Sequence, residues 1–226
     1  MKKYIEVLKK CPLFFGIEEG EIDAMLHCLG ARVDFYDKRY TVFAEGRPAH
    51  YVGVVLSGSV QAEQIDFSGN RSIIATYGVS ELFGEAFAAA EVRSIPVGMV
   101  AGEPSEIMLL DCRRMLYTCS KNCGFHQRMI FNLMRSLAEK TLDYHRKLSI
   151  VSKRTTREKL LSYLSSEARR AGENSFSIPY DRQSLADYLE VDRSGLSVEI
   201  AKLRAEGVLY SRKNYFVLYN VSDITD

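Results

Sequence analysis

Tryptophan is absent from the 226 residues, proline occurs only five times, and long apolar runs are missing. The longest stretch without a charged side chain, Pro48–Ala62, has fifteen residues and is rich in Gly, Ser and Gln. A membrane helix needs roughly 20 apolar residues, so no span of a bilayer is expected. Lys2 and Lys3 are followed at once by Glu6, Lys9 and Lys10, which interrupt any apolar segment of a secretion signal; a cytoplasmic protein with no membrane partner is expected. Cysteine is sparse: Cys11, Cys28, Cys112, Cys119 and Cys123 are odd in number and contain no C-x-x-C pair, which argues against a disulfide framework and a zinc ribbon. His27, His50, His126 and His145 are scattered, so no metal or haem site is expected. Paired carboxylates, a nucleophile elbow and a phosphate-cradling Walker loop are missing too, and the chain is not read as an enzyme. What remains, 46% hydrophobic and 26% charged residues, is the composition of an ordinary globular protein.

The net charge of +1 conceals a strong local bias. Residues 1–120 hold 12 Lys/Arg against 16 Asp/Glu, residues 121–159 hold 10 against 3, and residues 160–226 hold 8 against 10. The basic excess therefore falls on one segment, which can face phosphate, an acidic partner or water.

Glycines at 46, 53, 58, 69, 78, 84, 98 and 102 punctuate short β-branched or alternating runs. Tyr51–Ser57, Val60–Phe67, Ser72–Tyr77 and Ile107–Leu110 read as strands, with tight turns at Gly58-Ser59 and Ser68-Gly69-Asn70. Strands with turn signals every 8 to 12 residues indicate a β-barrel or jelly roll. From about Met115 the period changes. Ile130, Leu133, Leu137, Thr141, Tyr144, Leu148 and Val151 recur every three or four residues, a narrow stripe along a helix about 45 Å long at 1.5 Å per residue. Such a stripe suits a coiled-coil seam between two subunits, or a helix packed on its own roll. Thr155 and Glu158 then form a capping box ahead of Leu160, Leu161 and Leu164, so a new helix starts there. The expected organisation is α+β: a β-roll in 1–120, a long helix in 121–151 and a second domain in 152–226.

The strongest local signal is DRQSLADYLEVDRSGLSVEIAKLRAEG, Asp181–Gly207. Asp181 can cap a short helix bearing Leu185, Ala186 and Leu189 on one face. After the turn Glu190-Val191-Asp192, Asp192 can cap a second helix with Leu196, Ile200 and Leu203, stopped at Gly207. This is a helix-turn-helix. Val208–Tyr210 and Tyr215–Tyr219 read as a hairpin, or wing, with Ser211-Arg212-Lys213-Asn214 as a basic tip. The exposed start of the second helix is the end that enters a major groove. Arg193 offers a forked donor for a guanine edge, Ser194 and Ser197 can reach bases or phosphate, and Val198 can touch a thymine methyl. Lys202, Arg204, Arg212 and Lys213, with Thr156 and Arg182 at their helix starts, are placed for phosphates.

The ordered set VLSGSVQ (Val55–Gln61), ELFGE (Glu81–Glu85), a long helix and the DRQSLADYLEVDRSGLS helix-turn-helix resembles the CRP/FNR family of bacterial transcription regulators over nearly the whole chain. The resemblance implies an N-terminal double-stranded β-roll that senses an effector, a dimerisation helix at Gly124–Val151 and a C-terminal winged helix-turn-helix. A homodimer on a palindromic operator, double-stranded DNA and RNA polymerase as partners, and bacterial origin follow by the same likeness. Several members carry a second arginine five residues after the first recognition arginine; here that position is Val198.

In the cyclic-nucleotide members of that family the cassette after the FGE glycine places an Arg-Ser pair on the cyclic phosphate and the Glu on the ribose. Here Gly84, Glu85 and Ala86 are followed by Arg93-Ser94, about two residues short of that spacing. A register anchored on the next strand, Val97–Ala101, puts Ile95 at the arginine position and Pro96, which lacks an N–H, near the serine. Cyclic AMP is therefore not expected. An unidentified small-molecule effector is expected at Gly84, Glu85, Ala86, Arg93 and Ser94, with Met129 and Leu133 of the long helix beside it. Other sensors find less support. Cys11 and Cys28 alone cannot hold a four-cysteine iron–sulfur cluster, whereas Cys119 and Cys123, four apart at the start of a helix, share a face that can answer to oxidation or a soft metal. Two further readings stay open: an effector-binding module whose winged helix contacts a protein, and a cupin-like enzyme, for which the roll supplies only His50.

Overall fold

The computed structural model describes residues 2–117 and 124–219. Cys119 and Cys123 lie outside them. The chain divides into two compact units, Met1–Thr141 and Leu142–Asp226.

In the first unit, short helices α1 (Ile5–Lys10) and α2 (Glu19–Cys28) lead into strands β1 (Arg32–Tyr36), β2 (Thr41–Phe43), β3 (Tyr51–Ser57), β4 (Val60–Ile65), β5 (Arg71–Tyr77) and β6 (Leu82–Phe83). Then follow α3 (Glu85–Ala89), β7 (Gly98–Ala101), β8 (Ser105–Asp111), α4 (Cys112–Leu116) and the long helix α5 (Gly124–Val151). The strands form two four-stranded antiparallel sheets in the orders β1-β8-β3-β6 and β2-β7-β4-β5. This is a β-roll, and neither sheet closes into a barrel. β3 is buried along its whole interior, as expected of an apolar strand covered on both faces. Gly53 on β3 lies directly under Phe83 of β6: a Cβ there would sit 2.1 Å from the ring, so only glycine permits that contact. β4 stops at Ile65, two residues before the end expected from the sequence. Asp66 opens the turn, its Oδ1 accepting the Ser68 and Asn70 N–H groups at 2.8 and 2.9 Å, which leaves Phe67 fully exposed.

The N-terminal half of α5 closes this unit. Met129 and Leu133 are buried in the same apolar core as Leu8, Leu13, Val54, Phe83 and Met108. Asn132 fixes that face by donating to the Leu13 and Phe15 carbonyls at 3.0 and 2.8 Å. Leu133 of the expected seam is thus withdrawn into the roll. Further along the same stripe Tyr144 and Leu148 are exposed, and Phe131, Met134 and Leu142 are exposed elsewhere on the helix.

The second unit begins inside α5, where Lys147 and Ile150 are buried and the Lys147 ammonium lies 4.6 Å from the Tyr188 ring centre. It continues through α6 (Thr156–Ala171), β9 (Ser175–Ser177), α7 (Arg182–Leu189), α8 (Arg193–Ala205), β10 (Leu209–Arg212) and β11 (Tyr215–Leu218). Both halves of the Thr155/Glu158 capping box are made, and Gly172 ends α6 in the left-handed conformation, φ 73°. Tyr163, Tyr180 and Tyr188 cluster beneath α7, the last two stacked at 4.8 Å. The wing differs from its sequence pattern. β10 runs through Arg212, so the turn is only Lys213-Asn214, with Lys213 at φ 55°, and Ser211 is a buried strand residue. A third strand, β9, pairs with the other edge of β11, Phe176 opposite Phe216; three residues between a glycine-ended helix and a proline are too few to show a period. No helix among the described residues is long and apolar enough to cross a membrane.

Candidate functional site

Two helix starts carry the residues singled out above. At α8, Asp192 is the N-cap: its Oδ2 accepts the Gly195 N–H at 2.8 Å and the Ser194 hydroxyl. Those hydrogen bonds, the Ser194 hydroxyl foremost, hold the Asp192 carboxyl below the usual carboxylate range. Leu196, Ile200 and Leu203 are buried against the unit, so the first turns point Arg193, Ser194, Ser197 and Val198 to solvent together, Val198 at 54% exposure. The Ser197 hydroxyl donates back to the Arg193 carbonyl at 2.9 Å. Both serines thus enter any contact already engaged locally, and Arg193 is the extended donor of the group.

The remaining cations are distributed differently. Arg212 and Lys213 are exposed on the wing, and Lys202 is exposed with Glu199 at 3.8 Å. Thr156 is half-buried at the start of α6. Arg182, the first residue of α7, is half-buried, its guanidinium 5.9 Å from the Phe216 ring centre, and burial pushes it down from its usual range. Its Nη1 is buried with no hydrogen-bond partner among the described residues. Arg157, which the sequence pattern did not single out, binds Glu206 through Nη1 and Nη2 at 3.1 and 2.5 Å, and Glu199 at 3.3 Å. It ties α6 to α8.

The second helix start is α3. Gly84 is its N-cap at φ 77°, and a Cβ there would meet the Phe43 ring at 2.7 Å. Glu85 is 2% exposed and faces inward, where its carboxylate pairs with the Lys140 ammonium of α5. Lys140 also donates to the Leu82 carbonyl at 2.5 Å and sits 4.8 Å from the Tyr77 ring centre. Ala86, Arg93 and Ser94 are exposed, while Ile95 is buried and held by backbone bonds to Arg47 and Gly46, 2.9 Å each. The fold therefore joins Glu85 to α5 through Lys140, keeps Met129 and Leu133 in the core, and leaves Arg93 and Ser94 on the surface. Lys140 was invisible beforehand: it is one of ten cations in 121–159, and its partner lies 55 residues away. No group of three or more His, Cys, Asp or Glu side chains suited to a metal ion occurs among the described residues.

Residues 33–122 match the family described as the cyclic nucleotide-binding domain, the segment that holds the roll and α3. Over 80 residues the chain is 34% identical to the CRP-like cAMP-activated global transcriptional regulator of Mycobacterium tuberculosis, covering 35% of each chain. Residues 33–122 thus belong to the cyclic nucleotide-binding domain family, and the chain is similar to a CRP-like regulator over part of its length. The alignment to that relative spans about a third of the relative's length. Solved structures extend the likeness of fold to the C-terminal unit. The c-di-GMP responsive global regulator CLP of Xanthomonas campestris has a TM-score of 0.73 at 22% identity, covering 89% of this chain and 99% of that one. FixK2 of Bradyrhizobium japonicum has a TM-score of 0.68 at 22% identity, covering 86% and 95%.

Proposed function

We propose that this chain is a sequence-specific DNA-binding transcription regulator that acts as a homodimer on a two-fold symmetric operator and is gated by a small-molecule effector. The observation that carries the proposal is the start of α8, where Arg193, Ser194, Ser197 and Val198 are presented together on a winged helix-turn-helix whose other face is fully buried. Arg193 reads a guanine edge by a forked hydrogen bond and Val198 contacts a thymine methyl. Lys202, Arg212, Lys213, Thr156 and Arg182 contact phosphates, which position the domain. For Arg182 this requires the guanidinium to leave Phe216. The exposed apolar side chains of α5, Met134 and Leu148 among them, favour pairing with a second copy, which gives half-sites one helical turn apart. RNA polymerase is the partner through which such a dimer acts. In this partition residues 1–120 sense, 121–151 dimerise and 152–226 bind DNA.

The effector is assigned to the surface at Gly84, Glu85, Ala86, Arg93 and Ser94, with Met129 and Leu133 of α5 behind it. A ligand that engages Glu85 must compete with Lys140, and so acts on α5 directly. It shifts the dimer only through different affinities for its two states. Cyclic AMP is not assigned, although one relative is named for it, because Glu85 is already paired inward and buried Ile95 stands where the arginine would be. Selection from a random duplex library by the purified protein, followed by sequencing, tests the proposal. A palindrome with half-sites about one turn apart is expected. Flat recovery with the protein free of ligand and across an effector panel would instead favour a winged helix that contacts protein. Operator affinity that no effector alters would overturn the gating.

A further inference from the structure

A cavity of about 340 Å³ opens on the first unit, lined by Cys28, Arg113, Arg114, Tyr117 and His126. Its size falls within the range of small-molecule sites, about 300–1,000 Å³. The end of α2, helix α4 and the first turn of α5 bring these residues together from three parts of the chain.

His126 is the informative member. Its ring is 2% exposed, yet neither Nδ1 nor Nε2 has a hydrogen-bond partner among the described residues. A neutral imidazole carries one donor and one acceptor, and buried polar groups of this kind are normally paired. The Phe125 ring stacks on it at 5.2 Å, which fixes its plane. Across the cavity stand two guanidinium groups whose acidic partners are distant: Arg113 lies 3.9 Å from Glu91, and Arg114 lies 3.7 Å from Asp111. Both separations exceed a hydrogen bond, so most of the forked donors of both side chains remain available. The Tyr117 ring, 68% exposed, offers an apolar face. Among the described residues that line it, Cys28 and His126 are the groups that bind soft or borderline metals, fewer than a metal site needs.

We infer that this cavity binds a small organic anion, a carboxylate or phosphate monoester with a flat apolar body. Arg113 and Arg114 take the anionic head, His126 hydrogen-bonds a ligand oxygen, and Tyr117 covers the ring. The site shares no residue with the effector surface proposed above, and its binding is measured without DNA.

The test titrates the full-length protein with phenyl phosphate, benzoate, inorganic phosphate and phenol by calorimetry, while the His126 imidazole is followed by NMR. Phenyl phosphate or benzoate is expected to saturate with a Kd of 1 mM or tighter, on the order of −4 kcal/mol, and to move the His126 resonances. Which of the two binds more tightly identifies the head group. Arg113→Gln combined with Arg114→Gln, both at exposed side chains, is expected to weaken binding at least tenfold. His126→Gln assigns the NMR signals; should it not fold, the arginine variant and calorimetry carry the test alone. Failure of both organic anions to saturate would overturn the assignment. So would unchanged affinity in the arginine variant, phenol binding as tightly as benzoate, or inorganic phosphate binding as tightly as phenyl phosphate.

Discussion

Helices α3 and α8 begin in similar ways, each with a charged residue immediately after its N-cap, and they treat that charge in opposite ways. Glu85 of α3 turns inward to Lys140, whereas Arg193 of α8 points to water. An inward charge becomes part of what holds the unit together, so a ligand that reaches it must do work against the fold. An outward charge contributes little to folding and keeps its full hydrogen-bonding capacity for a partner. On the function proposed above, sensing and reading are thereby separated energetically as well as along the chain.

Breaking the inward pair gives the largest expected effect. Lys140→Met leaves the Glu85 carboxylate buried without its cation and should lower the stability of the first unit by about 3–5 kcal/mol, measured by chemical unfolding. Adding Glu85→Gln should restore most of it. A single-mutant loss under 1 kcal/mol would show that water reaches the pair. The outward charge should behave in reverse: Arg193→Ala should leave unfolding within about 0.5 kcal/mol of the parent while costing roughly 1–3 kcal/mol of operator affinity at one base position. A uniform loss across all sequences would make Arg193 a phosphate contact.

Lys147 sharpens the comparison, because its charge is inward but held by a ring. Burial pushes its ammonium down to about 8. Below that pH the folded protein holds a charged, desolvated lysine; from pH 8 upward the unfolded second unit binds more protons, so the stability of that unit should rise with pH. The rise should end near pH 10, where Tyr163 and Tyr188, pushed up by burial, begin to favour the unfolded chain. Lys147→Met should remove the slope between pH 8 and 10 and stabilise the second unit at pH 7 by about 1 kcal/mol. Smallest of all, Arg157→Ala should cost under about 1 kcal/mol, since the pairs it makes are largely solvated; urea unfolding in high and low salt measures it.

Legibility in the sequence followed the range of the interaction. The end of α5, the Thr155/Glu158 box, the Asp181 and Asp192 caps and the β3 strand depend on neighbours within a few positions, so local pattern located them. The pairing of Lys140 with Glu85, the burial of Leu133 and the docking of Asn132 on the Leu13 and Phe15 carbonyls depend on residues 55 to 120 positions away, and no local period encodes them. The wing shows both cases. Its hairpin was legible from alternation, but strand β9 and the burial of Ser211 follow from a third chain segment arriving at the edge of β11. Among the proposed contact residues, solvent exposure of Arg193, Ser194, Ser197 and Val198 followed from the periodicity of Leu196, Ile200 and Leu203. The inward turn of Glu85 did not, since a lone glutamate in an apolar run has no marked partner.

Thr155, Asp181 and Asp192 each start their helix with a side chain no more than three residues from the N–H it accepts. Helices α6, α7 and α8 thus each carry their own starting mark. Residues exposed on α8 can then be exchanged during evolution without moving the point where the helix begins, and a short insertion between α5 and α6 leaves the downstream frame intact. The segment from Asp181 to Gly207 is in that sense a transplantable cassette, whose spelling can drift toward a new operator while its punctuation stays fixed.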